Sequence, residues 1–97
     1  MTEEAKTLYA EALAKFKQAR QYYAATLIDY DSNVHSIRTK LYQEKLDGAK
    51  YTEESIRSKS YNMCQDLRRN YEYACAELDI AREHLEFVKA TCNHIDF

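Results

Sequence analysis

The chain has 97 residues, 31% of them charged, with a net charge of -2 and no proline. That length allows one domain at most, and the near balance of charge gives no general pull toward nucleic acid or an anionic membrane. Aromatic residues at 12%, nine of them tyrosine, argue against a disordered chain, and no apolar run is long enough to span a bilayer.

The first element begins at Thr2-Glu3-Glu4. A hydroxyl there can cap the first free amides, and acids in the first turn complement the helix dipole. Met1-Thr2-Glu3-Glu4 is acidic and no long apolar run follows, so no secretory signal is expected. The spacing predicts a helix over about residues 3–46. Large side chains recur every seventh residue at Tyr9, Phe16, Tyr23, Tyr30 and Ile37, and Ala5, Ala12 and Ala19 accompany the first half. Asp31, Ser32 and Asn33 favour caps and turns over helix interiors. The apolar spacing of Tyr30, Val34, Ile37 and Leu41 carries through them, so a continuous helix is expected, with a kink or break near Asp31–Asn33 as the alternative.

The turn, about residues 47–52, is set by Asp47 and by the one glycine, Gly48. Glycine reaches the left-handed backbone conformation that ends many helices. Thr52-Glu53-Glu54 repeats the start signal, and a second helix is expected over about residues 53–95. The fold class expected is therefore all-α, a single domain over 1–97 built as an antiparallel two-helix hairpin or coiled coil. Folding the chain about Gly48 and Ala49 puts Ala5 against Cys92, Ala12 against Leu85, Phe16 against Ala81, Ala19 against Leu78 and Tyr23 against Ala74. Large then meets small, which is how facing layers reach native packing density. The same register sets Lys15, Lys17 and Arg20 near the acidic stretch Glu72–Glu86, and Arg68 and Arg69 near Asp29 and Asp31. Exposed pairs of this kind contribute only a few tenths of a kcal/mol each, but they specify antiparallel orientation.

The second helix has two apolar stripes. The inner one is Cys64, Leu67, Tyr71, Ala74, Leu78, Ala81, Leu85, Val88, Cys92 and Ile95, which the first helix covers. The outer one is Tyr73, Ala76, Ile80, Phe87, Ala90, His94 and Phe97, offset by about 200° around the helix. No other part of the chain is left to cover it. An exposed apolar patch of this kind marks an interaction site, and a two-helix hairpin buries little of its own surface. These seven residues are the expected partner-binding site. Two occupants are consistent with it: another protein, for which the chain is an adaptor or inhibitor, or a second copy completing a homodimeric four-helix bundle.

Three cysteines cannot all pair within one chain, and free thiols suit a reducing, cytoplasmic setting. Catalysis is not expected. One glycine cannot build a phosphate-cradling loop. Cys92 and His94, two residues apart, point about 200° away from each other on a helix, so no metal site is expected. No cofactor and no small-molecule substrate are called for. Lys15, Lys17 and Arg20, and Arg57, Lys59, Arg68 and Arg69, form basic runs beside Tyr22, Tyr61 and Tyr71. Such groups can bind single strands, but acidic residues interrupt both runs, and weak nucleic-acid binding is only an alternative.

In outline, about one hundred residues with a midpoint turn, the chain is similar to the Trp-x-Gly proteins exported by type VII secretion. Where that family has its tryptophan, this chain has Leu46-Asp47-Gly48. Tyr73-x-x-x-Glu77 fits the family's Tyr-x-x-x-Asp/Glu export signal by letters, a signal that normally follows the second helix. Similar hairpins serve as small chaperones of type III secretion and as phage or mobile-element inhibitors. The outline implies a secretion-associated or chaperone role as a further alternative, and the chain is assigned to no family.

Overall fold

The computed structural model describes residues 2–95, with side chains through Cys92. Three helices and no strand are present among the described residues: α1 (Glu3–Leu46), α2 (Glu53–Met63) and α3 (Gln65–Ile95). The protein is all-helical. Its contacts divide into two compact units, one formed by residues up to 24 with those from 72 onward (the terminal unit), the other by residues 25–71 (the turn unit).

Each helix starts and stops for a visible reason. The Ala5 amide donates to Thr2 Oγ1 at 3.1 Å, which satisfies one free amide at the start of α1. The helix continues through Asp31, Ser32 and Asn33, all exposed. Asn33 Nδ2 donates to the Asp29 carbonyl at 2.8 Å, one turn back, so its amide is satisfied without leaving the helix. At the far end the Ala49 amide donates to the Glu44 carbonyl at 3.0 Å and the Gly48 amide to the Lys45 carbonyl at 3.2 Å. This pair of bonds is a Schellman closure, and it needs a left-handed residue at Gly48, whose φ is +113°. A β-carbon at that position would meet nothing within 4 Å, so the cost of Gly48→Ala is backbone strain alone. We expect a loss of about 1 kcal/mol in chemical denaturation, with the helix content of the folded state unchanged.

Thr52 begins α2 with a reciprocal cap. Its hydroxyl accepts from the Ser55 amide at 3.0 Å, and Ser55 Oγ accepts from the Thr52 amide at 2.9 Å. The expectation of one helix over 53–95 is corrected here. The helix is interrupted at Cys64, where φ is -110° and ψ 18° and the amide bonds back to the Tyr61 carbonyl at 3.1 Å, three residues away instead of four. The segment before it is the weak one: Ser58, Ser60 and Asn62 alternate through the last two turns of α2. Ser60 is fully buried, and its hydroxyl lies 2.8 Å from the Ile56 carbonyl and 3.0 Å from that of Arg57. A hydroxyl that bonds back onto the preceding turn competes with the helix ladder and bends it.

In the terminal unit the first part of α1 lies antiparallel to α3. Ala5, Ala12, Leu85, Val88 and Cys92 form a buried cluster, and Tyr9, Leu13 and Phe16 pack against it. The Cys92 thiol donates to the Ala5 carbonyl at 3.4 Å. That contact is the pairing expected from side-chain size. Ala74 and Leu78 are buried on the same face of α3.

In the turn unit Tyr30, Val34 and Cys64 are buried together, with Ile37, Leu67 and Tyr71 against them. The Tyr30 and Tyr71 rings are tilted at 5.0 Å between centroids. Burial pushes the Tyr30 hydroxyl above its ordinary value; Arg68 pulls it back in part, while Tyr71, Tyr61 and Cys64 push it up further. The sign of the consequence follows from proton linkage. Above about pH 10 the unfolded chain gives up this proton before the folded one does, so stability is lost as pH rises through that window. We expect wild-type stability to fall more steeply above about pH 10 than that of Tyr30→Phe, as read by urea unfolding across the alkaline range.

The expected cross-helix charge match is met in part: Lys15 lines a hollow with Glu77 of α3, while the described ion pairs run along single helices. The described ion pairs are Lys6–Glu3 at 3.4 Å, Arg69–Asp66 at 3.9 Å and Arg82–Asp79 at 3.3 Å, each within one helix and three residues apart. Arg69 thus turns to Asp66 along its own helix, not to Asp29 or Asp31. Arg20 lies over the Phe16 ring at 5.7 Å. A side chain three or four residues away is always within reach on a helix, whereas a cross-helix partner must match in register and length.

Candidate functional site

The outer stripe of α3 lies within the terminal unit, and its described members are exposed. Tyr73 is 72% exposed, Ile80 67% and Phe87 68%, and Ala76 and Ala90 are exposed between them. The inner stripe of the same helix is covered: Ala74, Leu78, Leu85, Val88 and Cys92 are buried, and Ala81 is half-buried. The helix therefore shows one satisfied apolar face and one unsatisfied one. His94 and Phe97, the remaining members of the expected site, lie outside the residues whose side chains are described.

Two residues that sequence reasoning missed belong beside this stripe. Leu8 is 51% exposed and Tyr22 49%. They lie seven residues on either side of Lys15, so the three form one line on α1. Lys15 lines an open hollow with Glu77, Ile80, Ala81 and His84, which places that line on the side of α1 next to the stripe. Tyr22 and Lys15 line a second hollow with Gln18, Ala19 and Glu77. The signal was available: Leu8, Lys15 and Tyr22 share the seven-residue interval of the half-buried Tyr9, Phe16 and Tyr23, one position earlier. It was obscured because a lysine occupies the middle position.

The cysteines are free; Cys64 and Cys92 are buried and Cys75 is half-buried. Among the described residues no group of three or more histidine, cysteine, aspartate or glutamate side chains is placed to hold a metal ion. Each basic run has a member engaged with an aromatic ring: Arg20 lies over Phe16 at 5.7 Å and Lys59 over Tyr51 at 4.6 Å. Tyr73 and Glu77 lie inside α3 and not after it, unlike the export signal they match by letters. No described helix is long and apolar enough to cross a membrane. No protein family, curated protein or solved structure matches the chain.

Proposed function

We propose that the chain is a non-catalytic protein–protein interaction module, an adaptor or inhibitor that binds a larger protein through the outer stripe of α3. One observation carries this reading: Tyr73, Ile80 and Phe87 stand in solvent on the helix whose other face, Leu78, Leu85 and Val88, is buried. Leaving three large apolar side chains in line in water forfeits about 1.5–3 kcal/mol of burial for each, and a partner that covers them recovers it. In this reading the chain is an antiparallel hairpin, with α1 as one arm and α2 with α3 as the other, completed into a larger helical bundle on docking. The free cysteines support a reducing compartment such as the cytoplasm.

A second reading, a homodimeric four-helix bundle, is favoured by Leu8 and Tyr22. They widen the stripe into a face drawn from two helices, the kind of surface a bundle buries. A photo-crosslinking residue placed at Ala76 in the producing cell separates these readings. We expect one discrete crosslinked product from position 76 and none from a control at Gln21, an exposed position of α1 outside the Leu8–Tyr22 line. A product of twice the chain mass supports the homodimer, and a product of any other discrete mass supports the adaptor or inhibitor. Identical diffuse crosslinking from both positions overturns the module reading.

A further inference from the structure

We propose that the occupant of the α3 stripe is an amphipathic helix of another protein whose apolar face is flanked by lysine or arginine; this rests on the interaction reading above. The stripe is rimmed with acid. At 100° per residue, Glu77 lies about 60° to one side of Ile80 and Glu83 about 60° to the other, with Asp79 and Glu86 beyond Glu83. All four are exposed. The cations of this stretch lie elsewhere: Arg82 and Lys89 fall about 160–180° from Ile80, and Arg82 is held by Asp79 at 3.3 Å. On the α1 side the one lysine of the line, Lys15, shares its hollow with Glu77, and Glu11 is exposed nearby.

An apolar strip with an acidic margin at Glu83, Asp79 and Glu86, and with Glu77 beside Lys15 on the other, selects its partner by charge. A second copy brings the same acids, and a face-to-face pairing sets Glu77, Glu83 and Glu86 against a like-charged rim, which is repulsive across an interface. A basic amphipathic helix does the opposite. Its apolar residues cover Tyr73, Ala76, Ile80, Phe87 and Ala90, whose intervals are those of a helix laid along a helix. Its flanking cations meet the acidic margin of Glu83 and Glu86 and, on the other side, Glu77.

The test uses two synthetic peptides with the same leucine and isoleucine stripe, one flanked by lysine and one by glutamate. Each is titrated with the full chain by fluorescence anisotropy at low and high salt, and the chain alone is weighed by sedimentation. We expect the lysine peptide to bind at least about tenfold more tightly at low salt, with the difference shrinking as salt screens the rim. Ile80→Ser with Phe87→Ser should remove binding. Glu77→Gln with Glu83→Gln and Glu86→Gln should weaken it about tenfold and flatten its salt dependence; these exposed changes leave good helix formers in place. Equal binding of both peptides, lost with the serine variant, overturns the cationic partner and leaves the interaction reading standing. A dimer of the free chain at micromolar concentration that the serine variant disperses overturns it in favour of a second copy. If neither peptide binds and the chain is a monomer, both this inference and the reading beneath it fall.

Discussion

Leu85→Ala is expected to lower the unfolding free energy by about 2–4 kcal/mol, and Phe87→Ala, two residues away, by less than about 1 kcal/mol. Leu85 is 5% exposed and belongs to the cluster with Ala5, Ala12, Val88 and Cys92, while Phe87 is 68% exposed on the other face of the helix. Across from Leu85 stands Ala12, 1% exposed, with no longer side chain to move into a vacated space. Tyr9, Leu13 and Phe16 pack against the cluster and can relax into part of the space, which keeps the cost within this range. Against a total stability of about 5–10 kcal/mol for a chain of this size, the loss is a large fraction of what holds the terminal unit together. The midpoint of thermal unfolding should drop by about 10–25 °C for Leu85→Ala and by only a few degrees for Phe87→Ala. Circular dichroism at 222 nm in a urea titration reads both. Equal losses at the two positions would mean that the burial pattern of α3 is not as described.

Ile80→Asp with Phe87→Asp should abolish association without unfolding the chain. Both positions are exposed, so the aspartates replace apolar surface with solvated charge and bury nothing. A carboxylate in the centre of a covered interface must instead be desolvated, and the loss of two anchors at an interface centre is worth about 4 kcal/mol or more. The expected result is an affinity reduced by about a thousandfold for whatever covers the stripe, with a stability change below about 1 kcal/mol. If the double variant unfolds a chain shown to be monomeric, the stripe is part of the core.

Much of the helical layout was legible because side-chain size and helix signals act locally. Ala5 meets Cys92, as large-against-small matching implies, and Gly48 ends α1 because no other residue takes its backbone conformation without strain. The exposed outer stripe followed from the same periodicity. One boundary departs from expectation, for a physical reason. The first helix runs on through Asp31–Asn33 as its apolar spacing implies, and Asn33 bonds to a carbonyl one turn back. The interruption came instead at Cys64, after a run where Ser60 is buried and its hydroxyl turns onto the preceding backbone. Whether a small polar side chain serves its helix or competes with it depends on where it can point once packed. That is a tertiary property. The charge rows match in part: Lys15 shares a hollow with Glu77 across the helices, whereas Arg69 pairs within its own helix. Arg69 finds its acid, Asp66, three residues away, which is always within reach on a helix.

That α3 has one covered apolar face and one open one is tested most directly by thiol labelling. In a chain carrying Cys75→Ser, a single additional cysteine is placed at Ile80 or at Leu78, and maleimide labelling is timed in dilute solution below the onset of association. Position 80 is expected to react about as fast as an unfolded peptide, while position 78 is slowed by about a hundredfold or more, in proportion to the rarity of opening. A slow thiol at position 80 with a fast one at position 78 would contradict this burial pattern.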